Sequence, residues 1–376
     1  MMRRREFLGT LGRAGAGALV VGALPAWAGA PAQPDLIVRN TWPEHYETAL
    51  DALGRSWVTA NERFFVRSHF PVPDVDQAAY RLEVSGLVKT PLSLTLAELR
   101  ALPQFERAHT LECAGNGRGL YKLANTAGTQ WEYGAVGNAK WGGTPLLALL
   151  ERAGVQPEAK HVWFEAADRA PLPEVPPFLR SIPIEKAMDD VLLVHRMNGA
   201  PLPKLHGAPV RVIVPGWYGM ASTKWVTRVR VEAAPSDNHW IARGYHYVYP
   251  GEDPAQAPPV QEMRVKSLIT GMLENGRAPK ATATVKGFAW AGRPGVQKVE
   301  ISTDGGATWR GATLEGEEVH GAWRAWSAKF DVTTAGVLHV MARATDGDGD
   351  VQPAQAKPNA SGYGNNSIHE RLYHVL

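Results

Sequence analysis

The sequence predicts an α+β domain followed by an all-β sandwich of the immunoglobulin-like type. Helical patterns are few, and strand-like runs are mixed among them without the regular alternation of a doubly wound sheet. A Pro-rich stretch at residues 250–259 is typical of an extended linker, and beyond it the pattern becomes purely strand-like. We therefore predict a first domain over residues 31–255 and a second over residues 256–376.

Two segments of the first domain have the apolar spacing of amphipathic helices. They are residues 94–102 and 144–153, and each carries a threonine near its start that suits a helix cap. Five runs favour strands, namely residues 80–85, 162–165, 191–194, 210–214 and 225–232.

The second domain shows period-two alternation at residues 282–290, 296–302 and 336–344. The run Asp304-Gly-Gly is a hairpin-turn signal between strand-like stretches. The acidic run from Asp346 to Asp350 resembles a calcium loop only superficially. Val351 and Lys357 stand where an EF-hand needs glycine and glutamate, so an acidic turn is the better interpretation.

Residues 1–30 have the features of an export signal. Arg3-Arg4-Arg5-Glu6-Phe7-Leu8 precedes a short apolar stretch and small-residue cleavage sites, which favours a twin-arginine signal over an ordinary secretion signal. That route exports folded proteins, so we expect a periplasmic protein that acquires any cofactor before export. No later segment is long and apolar enough to span a bilayer.

The net charge gives no indication of a nucleic-acid or membrane partner. The signal carries four arginines and one glutamate, and its +3 equals the formal +3 of the whole chain. The mature chain is therefore near neutral, and its partners are not selected by bulk charge.

Cys113 is the only cysteine, so an internal disulfide, a cysteine-based zinc site and an iron–sulfur cluster are excluded. Its thiol is either a small buried filler or a reactive or metal-binding group. The following Gly-Asn-Gly-Arg118 favours the second interpretation, because glycines permit close approach and a nearby cation favours the thiolate.

Three arginines are candidates for an anion site. Arg67 lies in an apolar frame where an unpaired charge is costly, Arg118 stands five residues beyond Cys113, and Arg211 interrupts a strand-like run. Each could belong to a structural ion pair, but convergence near a thiolate would create a site for a small oxyanion. The run from Val214 to Lys224 places backbone amides, hydroxyls and a lysine on one loop, a plausible anion cradle. There is no Walker or GxGxxG pattern and no Cys-x-x-Cys-His for covalent haem.

Taken together, these segments resemble the sulfite oxidase family of molybdopterin enzymes across nearly the whole mature chain. The similar segments are FFVRSHFPVP at 64–73, LECAGNGR at 111–118, AKWGG at 139–143 after Trp131, MNGAPLP at 197–203, HGAPVRVIVPG at 206–216 and KWV at 224–226. The resemblance implies a molybdopterin-binding catalytic domain and a C-terminal dimerisation domain.

The resemblance also implies roles for individual residues. Cys113 would be the thiolate ligand of molybdenum, which suits a soft metal centre. The implied substrate-pocket residues are Arg67, Arg118, Trp131, Tyr245 and, by a looser alignment, Arg324. The implied contacts to the pterin cofactor or its phosphate are His69, Asp168, His206, Arg211, Ser222 and Lys224.

The implied reaction is oxidation of sulfite to sulfate by oxygen transfer from a molybdenum-oxo group, with the arginines stabilising the anion. We expect no haem in this chain, so electrons would pass to an external c-type cytochrome. The chain would form a homodimer or pair with a cytochrome subunit. One departure is Gly117, which stands where vertebrate-like members carry a second arginine.

The sequence leaves three alternative functions open. One is the sulfane dehydrogenase subunit of a sulfur-oxidising complex, although retention of Arg118 favours sulfite. Another is a sulfoxide reductase of the same family, although those members lack the C-terminal sandwich. The third, from a different class, is a catalytically inactive periplasmic binding partner.

Overall fold

The computed structural model describes residues 35–123, 126–271, 277–278, 281–332 and 335–375. The predicted export signal lies outside the described residues. From residue 35 onward, the described chain forms one compact unit. The helices are α1 (Leu50–Leu53), α2 (Leu96–Ala101), α3 (Leu146–Ala153), α4 (Ile184–Asp189) and α5 (His239–Ala242).

The strands of the first domain number thirteen among the described residues. They are β1 (Leu36–Thr41), β2 (Glu44–Thr48), β3 (Val66–Arg67), β4 (Arg81–Gly86), β5 (Leu92–Thr95), β6 (Phe105–Glu112), β7 (Val136–Pro145), β8 (His161–Ala166), β9 (Leu179–Pro183), β10 (Leu192–Met197), β11 (Ala200–Pro201), β12 (Arg211–Ile213) and β13 (Val226–Glu232).

The remaining strands belong to the second domain. They are β14 (Lys266–Gly271), β15 (Arg277–Ala278), β16 (Ala281–Trp290), β17 (Val296–Ser302), β18 (Arg310–Gly311), β19 (Thr313–Glu315), β20 (Arg324–Val332), β21 (Gly336–Asp346) and β22 (His369–Val375).

Three sheets build the first domain: β1-β2-β3, β11-β10-β7-β6 with β12 beside β10, and β5-β4-β13-β8-β9. β13 lies parallel to β4 and antiparallel to β8, so the third sheet is mixed. Its inner face packs with α2, α3 and α4 around a buried aliphatic core that includes Leu82, Leu149 and Val229. This arrangement confirms the predicted α+β class.

Two sheets form the second domain, β14-β16-β20-β19 and β15-β22-β21-β17-β18. Their facing side chains, such as Val285, Trp326 and Val340, are completely buried between them. The alternating pattern of β16, β17 and β21 therefore corresponds to one inward and one outward face per strand, as in a sandwich.

The patterned segments form the predicted elements with small shifts of their ends. Thr95 caps α2, where its hydroxyl accepts from the Glu98 backbone and the Glu98 carboxylate accepts from the Thr95 backbone. β17 and β18 pair in antiparallel fashion after the predicted turn at Asp304. Residues 346–350 form an acidic turn in which the Asp346 carboxylate accepts two backbone N–H bonds.

The structure corrects the prediction of an extended linker at residues 250–259. Residues 250–259 do not separate two independent bodies, because Tyr247 N–H donates to the Pro258 carbonyl and Val260 N–H to the Tyr245 carbonyl. These bonds, of 2.9 and 2.7 Å, hold the segment against the first domain. Proline content indicated an extended backbone, but it could not show that the backbone would find partners.

Within the described residues, no helix is both long enough and apolar enough to cross a bilayer.

Candidate active site

A cavity opens where the end of β6 meets the loops around β3, β12 and β13. Cys113 lies on its wall. So do all the residues predicted to contact the cofactor, namely His69, Asp168, His206, Arg211, Ser222 and Lys224. Two of the predicted substrate residues, Arg67 and Tyr245, lie on the same wall. The structure therefore brings together residues that are distant in the chain.

Cys113 follows the last residue of β6, and hydrogen bonds fix its backbone. Its N–H donates to the Ala135 carbonyl (2.9 Å), and its own carbonyl accepts from the N–H of Asn116 (2.8 Å). The preceding residue, Glu112, is buried in a salt bridge with Lys266 of β14 (2.9 Å). The Trp290 indole also donates to the Glu112 carboxylate at 2.9 Å. The second domain thus anchors the strand end that presents the thiol.

Five cationic side chains lie on or directly behind this wall: Arg67, Arg118, Arg180, Arg211 and Lys224. None of them forms a salt bridge with a carboxylate in the part of the chain that the structure describes. Buried charges without counter-charges are unfavourable in a protein interior. The cavity is therefore suited to an anionic ligand that supplies the missing negative charge.

Arg211 and Lys224 define one end of the cavity. Arg211 donates to the carbonyls of His206 and Ser222, both at 3.0 Å, and burial lowers its pKa to about 9. Lys224 donates to the Ser68 hydroxyl at 2.7 Å, and burial together with the charge of Arg211 lowers its pKa well below the usual value. These partners are neutral, so they orient the cations without cancelling their charge.

Two hydroxyl groups and one imidazole lie at the same end of the cavity as Arg211 and Lys224. The Ser222 hydroxyl accepts from Val214 N–H (3.0 Å) and keeps its own proton for donation. The buried Thr223 hydroxyl has no hydrogen-bond partner among the described residues. Burial lowers the pKa of His206 to about 3, so its ring is neutral at physiological pH. Such a set of donors matches a phosphate or another polar anion.

Among the described residues, Asp168 is the one carboxylate on the cavity wall. Desolvation raises its pKa to about 6, with the charge of Lys224 acting in the opposite direction. Its Oδ1 atom is buried and has no partner among the described residues. An oxygen in this state is an available acceptor for the N–H groups of a bound ligand.

Tyr245 and His69 form the other end. The Tyr245 hydroxyl lies 2.6 Å from His69 Nε2, and the imidazole stacks on Phe178 at 3.9 Å between ring centres. Tyr245 has a φ of 58°, a left-handed conformation that is unfavourable for a tyrosine. Arg67 approaches from β3, and its Nη1 atom is buried without a partner in the described chain. Arg67 thus has a free donor at this end of the site.

Arg118 lies behind the cavity wall rather than on it. Its Nε donates to the Ser361 carbonyl (2.7 Å) and its Nη1 to the Thr129 carbonyl (2.9 Å). The guanidinium lies 5.3 Å from the ring centre of Tyr363, which in turn stacks on Tyr245 at 5.1 Å. The rings of Tyr363 and Tyr245 therefore lie between the Arg118 guanidinium and the cavity.

Two other predicted substrate residues are not on the cavity. Trp131 is completely buried beneath it, with its ring 5.8 Å from that of His45. The structure corrects the predicted place of Arg324 in the substrate pocket. Arg324 lines a separate small pocket in the second domain and pairs with Glu318 at 3.6 Å. The looser alignment identified an arginine of the second domain, but the sandwich directs it away from Cys113.

Sequence reasoning missed Arg180 and Tyr363, and it included Thr223 only as one of the hydroxyls on the loop from Val214 to Lys224. Arg180 carries the same signal that singled out Arg67, a charged residue inside an apolar run, and could have been found. Tyr363 lies in a loop without periodicity, and only the tertiary fold shows that it stacks on Tyr245.

The site fits the molybdenum cofactor implied by the sequence. Cys113 would supply a soft thiolate to the metal. Arg211, Lys224, Ser222 and Thr223 would hold the polar end of the cofactor, where cations and hydroxyls lack negative partners. A thiol and cations without counter-charges on one cavity wall are the groups that a pterin-dependent metalloenzyme would need.

Comparison with known proteins identifies the family. The oxidoreductase molybdopterin-binding domain matches residues 69–240, and the Mo-co oxidoreductase dimerisation domain matches residues 257–375. The chain is 38% identical over 356 residues to the mitochondrial sulfite oxidase of Rattus norvegicus, covering 89% of this chain and 65% of that protein. It is 32% identical to the sulfite oxidase of Arabidopsis thaliana, covering 91% of this chain and 94% of that protein.

A solved structure agrees with these sequence matches. The sulfane dehydrogenase SoxCD from Paracoccus pantotrophus superposes with a TM-score of 0.78 at 29% identity, covering 90% of this chain and 88% of that one. The chain belongs to the sulfite oxidase family of molybdopterin-dependent oxidoreductases. It spans 65% of the length of the mitochondrial relative named above.

Proposed function

We propose that this protein oxidises sulfite to sulfate and passes the two electrons to a c-type cytochrome. The observation that carries the proposal is the convergence of Cys113 and cations without counter-charges on one cavity. The similarity to sulfite oxidases of rat and Arabidopsis supports sulfite as the substrate.

The residues of this chain would bind and orient a small oxyanion. Arg67 has a free buried donor, and the Tyr245 hydroxyl lies at the same end of the cavity. Burial keeps His69 neutral, so it positions the Tyr245 hydroxyl without adding charge. Arg118 and Arg180 add positive potential from behind the wall, which favours an anion in a site of low dielectric constant.

The cofactor would supply the redox chemistry. Bound beside Cys113, it would provide oxygen transfer to the sulfur of the anion and accept the two electrons released. The net reaction consumes one water and yields sulfate, two protons and two electrons. The chain's cations would bind the double negative charge that sulfite and sulfate both carry, and so hold the anion in place during the transfer.

We further propose that the protein acts in the periplasm after export by the twin-arginine route, as a homodimer. The Arg-rich first residues support the location, and the match to a dimerisation domain supports the assembly. Pairing with a cytochrome subunit is the alternative assembly.

The test is a substrate screen on purified protein with metal analysis. We expect about one molybdenum per chain and reduction of cytochrome c that depends on sulfite. Arg118→Ala should mainly raise KM, with Arg228→Ala as a control, because Arg228 is a surface residue paired with Glu83 at 2.8 Å. Molybdenum-loaded protein that does not reduce cytochrome c with sulfite would contradict the proposal.

The second candidate is a sulfane dehydrogenase, which the similarity to SoxCD favours. It would act on a sulfane sulfur carried by a partner protein rather than on free sulfite. Turnover only with a protein-bound sulfane substrate, and none with sulfite, would select this alternative.

A further inference from the structure

Arg180 is a buried cation of β9 that lies beside the substrate end of the cavity. It is 7% exposed, and its Nε atom has no hydrogen-bond partner among the described residues. Its Nη1 donates to the Trp240 carbonyl of α5. The guanidinium carbon lies 5.2 Å from the centre of the Tyr245 ring.

A purely structural role leaves this charge unexplained. One neutral carbonyl does not offset the cost of burying a guanidinium, and no carboxylate of the described chain pairs with Arg180. Two other arginines on the same sheet have acidic partners: Arg228 and Arg230 of β13 both pair with Glu165. Like Arg211 on the cavity wall, Arg180 is therefore a buried cation without a carboxylate partner among the described residues.

Arg180 also contributes to the position of Tyr245. The left-handed φ of Tyr245 needs support from its surroundings. The Arg180 cation over the ring and the stacked Tyr363 ring supply that support. Burial lowers the pKa of His69, the hydrogen-bond partner of Tyr245, and the charges of Arg67 and Arg180 act in the same direction.

We propose that Arg180 is a positioning residue for the substrate anion, acting through Tyr245 and adding a positive charge behind the wall of the cavity. The inference rests on the proposed function, and it concerns how tightly the anion binds rather than how the oxygen is transferred.

The test compares Arg180→Met, Arg180→Lys and the surface control Arg228→Met in molybdenum-loaded protein. For Arg180→Met we expect KM for sulfite to rise about tenfold with kcat within about twofold, as for loss of one charge interaction in a partly buried site. Arg180→Lys keeps the charge and should stay within about threefold of wild type in KM. Arg228→Met should leave both constants unchanged.

A second readout does not depend on turnover. Calorimetric titration with sulfate should show the same rise in Kd for Arg180→Met and none for Arg228→Met, at unchanged molybdenum content. Unchanged KM and sulfate Kd in Arg180→Met would overturn the proposal, as would a fall in kcat alone. If Arg180→Met does not fold, a tenfold rise in KM for Arg180→Lys would overturn it, because the charge is still present there.

A failure of the proposed function gives a different result. Wild-type protein would then lack sulfite turnover, while the effect of Arg180 on sulfate binding would still be measurable.

Discussion

Around Arg118, glycines stand where side chains would displace the guanidinium. A Cβ atom on Gly115 would lie 2.8 Å from the guanidinium carbon and from both Nη atoms. One on Gly128 would lie 2.6 Å from Nη1, and one on Gly362 would lie 2.8 Å from Cγ. Gly115, in the Gly-Asn-Gly-Arg run after Cys113, thus also leaves room for the Arg118 guanidinium.

Gly115→Ala tests this arrangement without adding backbone strain, because Gly115 is not among the residues with positive φ. We expect the added methyl group to push the guanidinium off the Tyr363 ring and to raise KM for sulfite roughly three- to tenfold. Gly311→Ala is the matched control, since a Cβ there has no heavy atom within 4 Å. Equal KM values in the two variants, measured by steady-state kinetics, would show that Gly115 is not needed to position Arg118.

At the level of single residues, local chemistry singled out part of the cavity wall, and the family resemblance supplied the rest. Cys113 and Arg211 stood out by residue type, and Lys224 stood out because it shares a loop with backbone amides and hydroxyls; the structure places all three on one cavity. Tyr363 was not, because its importance comes from stacking on Tyr245, a contact across 118 positions that no local pattern records. The prediction for Arg324 was wrong for the opposite reason. An arginine suits an anion pocket, but the fold places Arg324 in a separate pocket of the second domain.

Among the elements, β6 is the one that delivers the reactive thiol. Its last residue, Glu112, is held by Lys266, Trp290 and Asn116 at 2.9 Å each. These partners come from both domains and fix the strand end next to Cys113.

Lys266→Met should remove the counter-charge of a buried carboxylate and destabilise the protein by roughly 3 kcal/mol. The double variant Glu112→Gln/Lys266→Met should recover much of the loss, because no unpaired charge then remains. Lys298→Met is the control, since Lys298 belongs to a surface pair with Glu300, where such a change costs about 0.5 kcal/mol or less. The free energy of unfolding in urea is the measurement. A loss for Lys266→Met no larger than for Lys298→Met would contradict this account.

The elements that sequence analysis found are those with a clear period. β6 and β7 were missed because buried polar residues, such as Thr110 and Asn138, interrupt the apolar pattern. Their polarity follows from the tertiary fold: the Thr110 hydroxyl donates to the Asn138 side chain at 3.2 Å and accepts from Trp323 N–H at 2.8 Å. Strands that face a second domain need such polar contacts, and a single sequence does not reveal the partner.

For the whole molecule, the second domain helps to build the catalytic site. Three contacts hold the 113–118 loop from that domain: Gly364 N–H to the Ala114 carbonyl (2.8 Å), the Asn365 amide to the Gly117 carbonyl (2.8 Å) and Arg118 to the Ser361 carbonyl (2.7 Å). The C-terminal sandwich therefore supports the thiol and the anion pocket as well as presenting a dimerisation domain. The fold class was predictable from composition and periodicity, whereas this shared site was not.

Cys113 would supply a thiolate to the molybdenum of the bound cofactor. X-ray absorption at the molybdenum edge tests it most directly, on wild type and Cys113→Ser loaded under the same conditions. We expect three sulfur neighbours in wild type, two from the pterin dithiolene that the resemblance implies and one from Cys113. We expect two in the variant, with loss of nearly all sulfite turnover. An equal sulfur count in the two proteins, or full activity of Cys113→Ser, would contradict it.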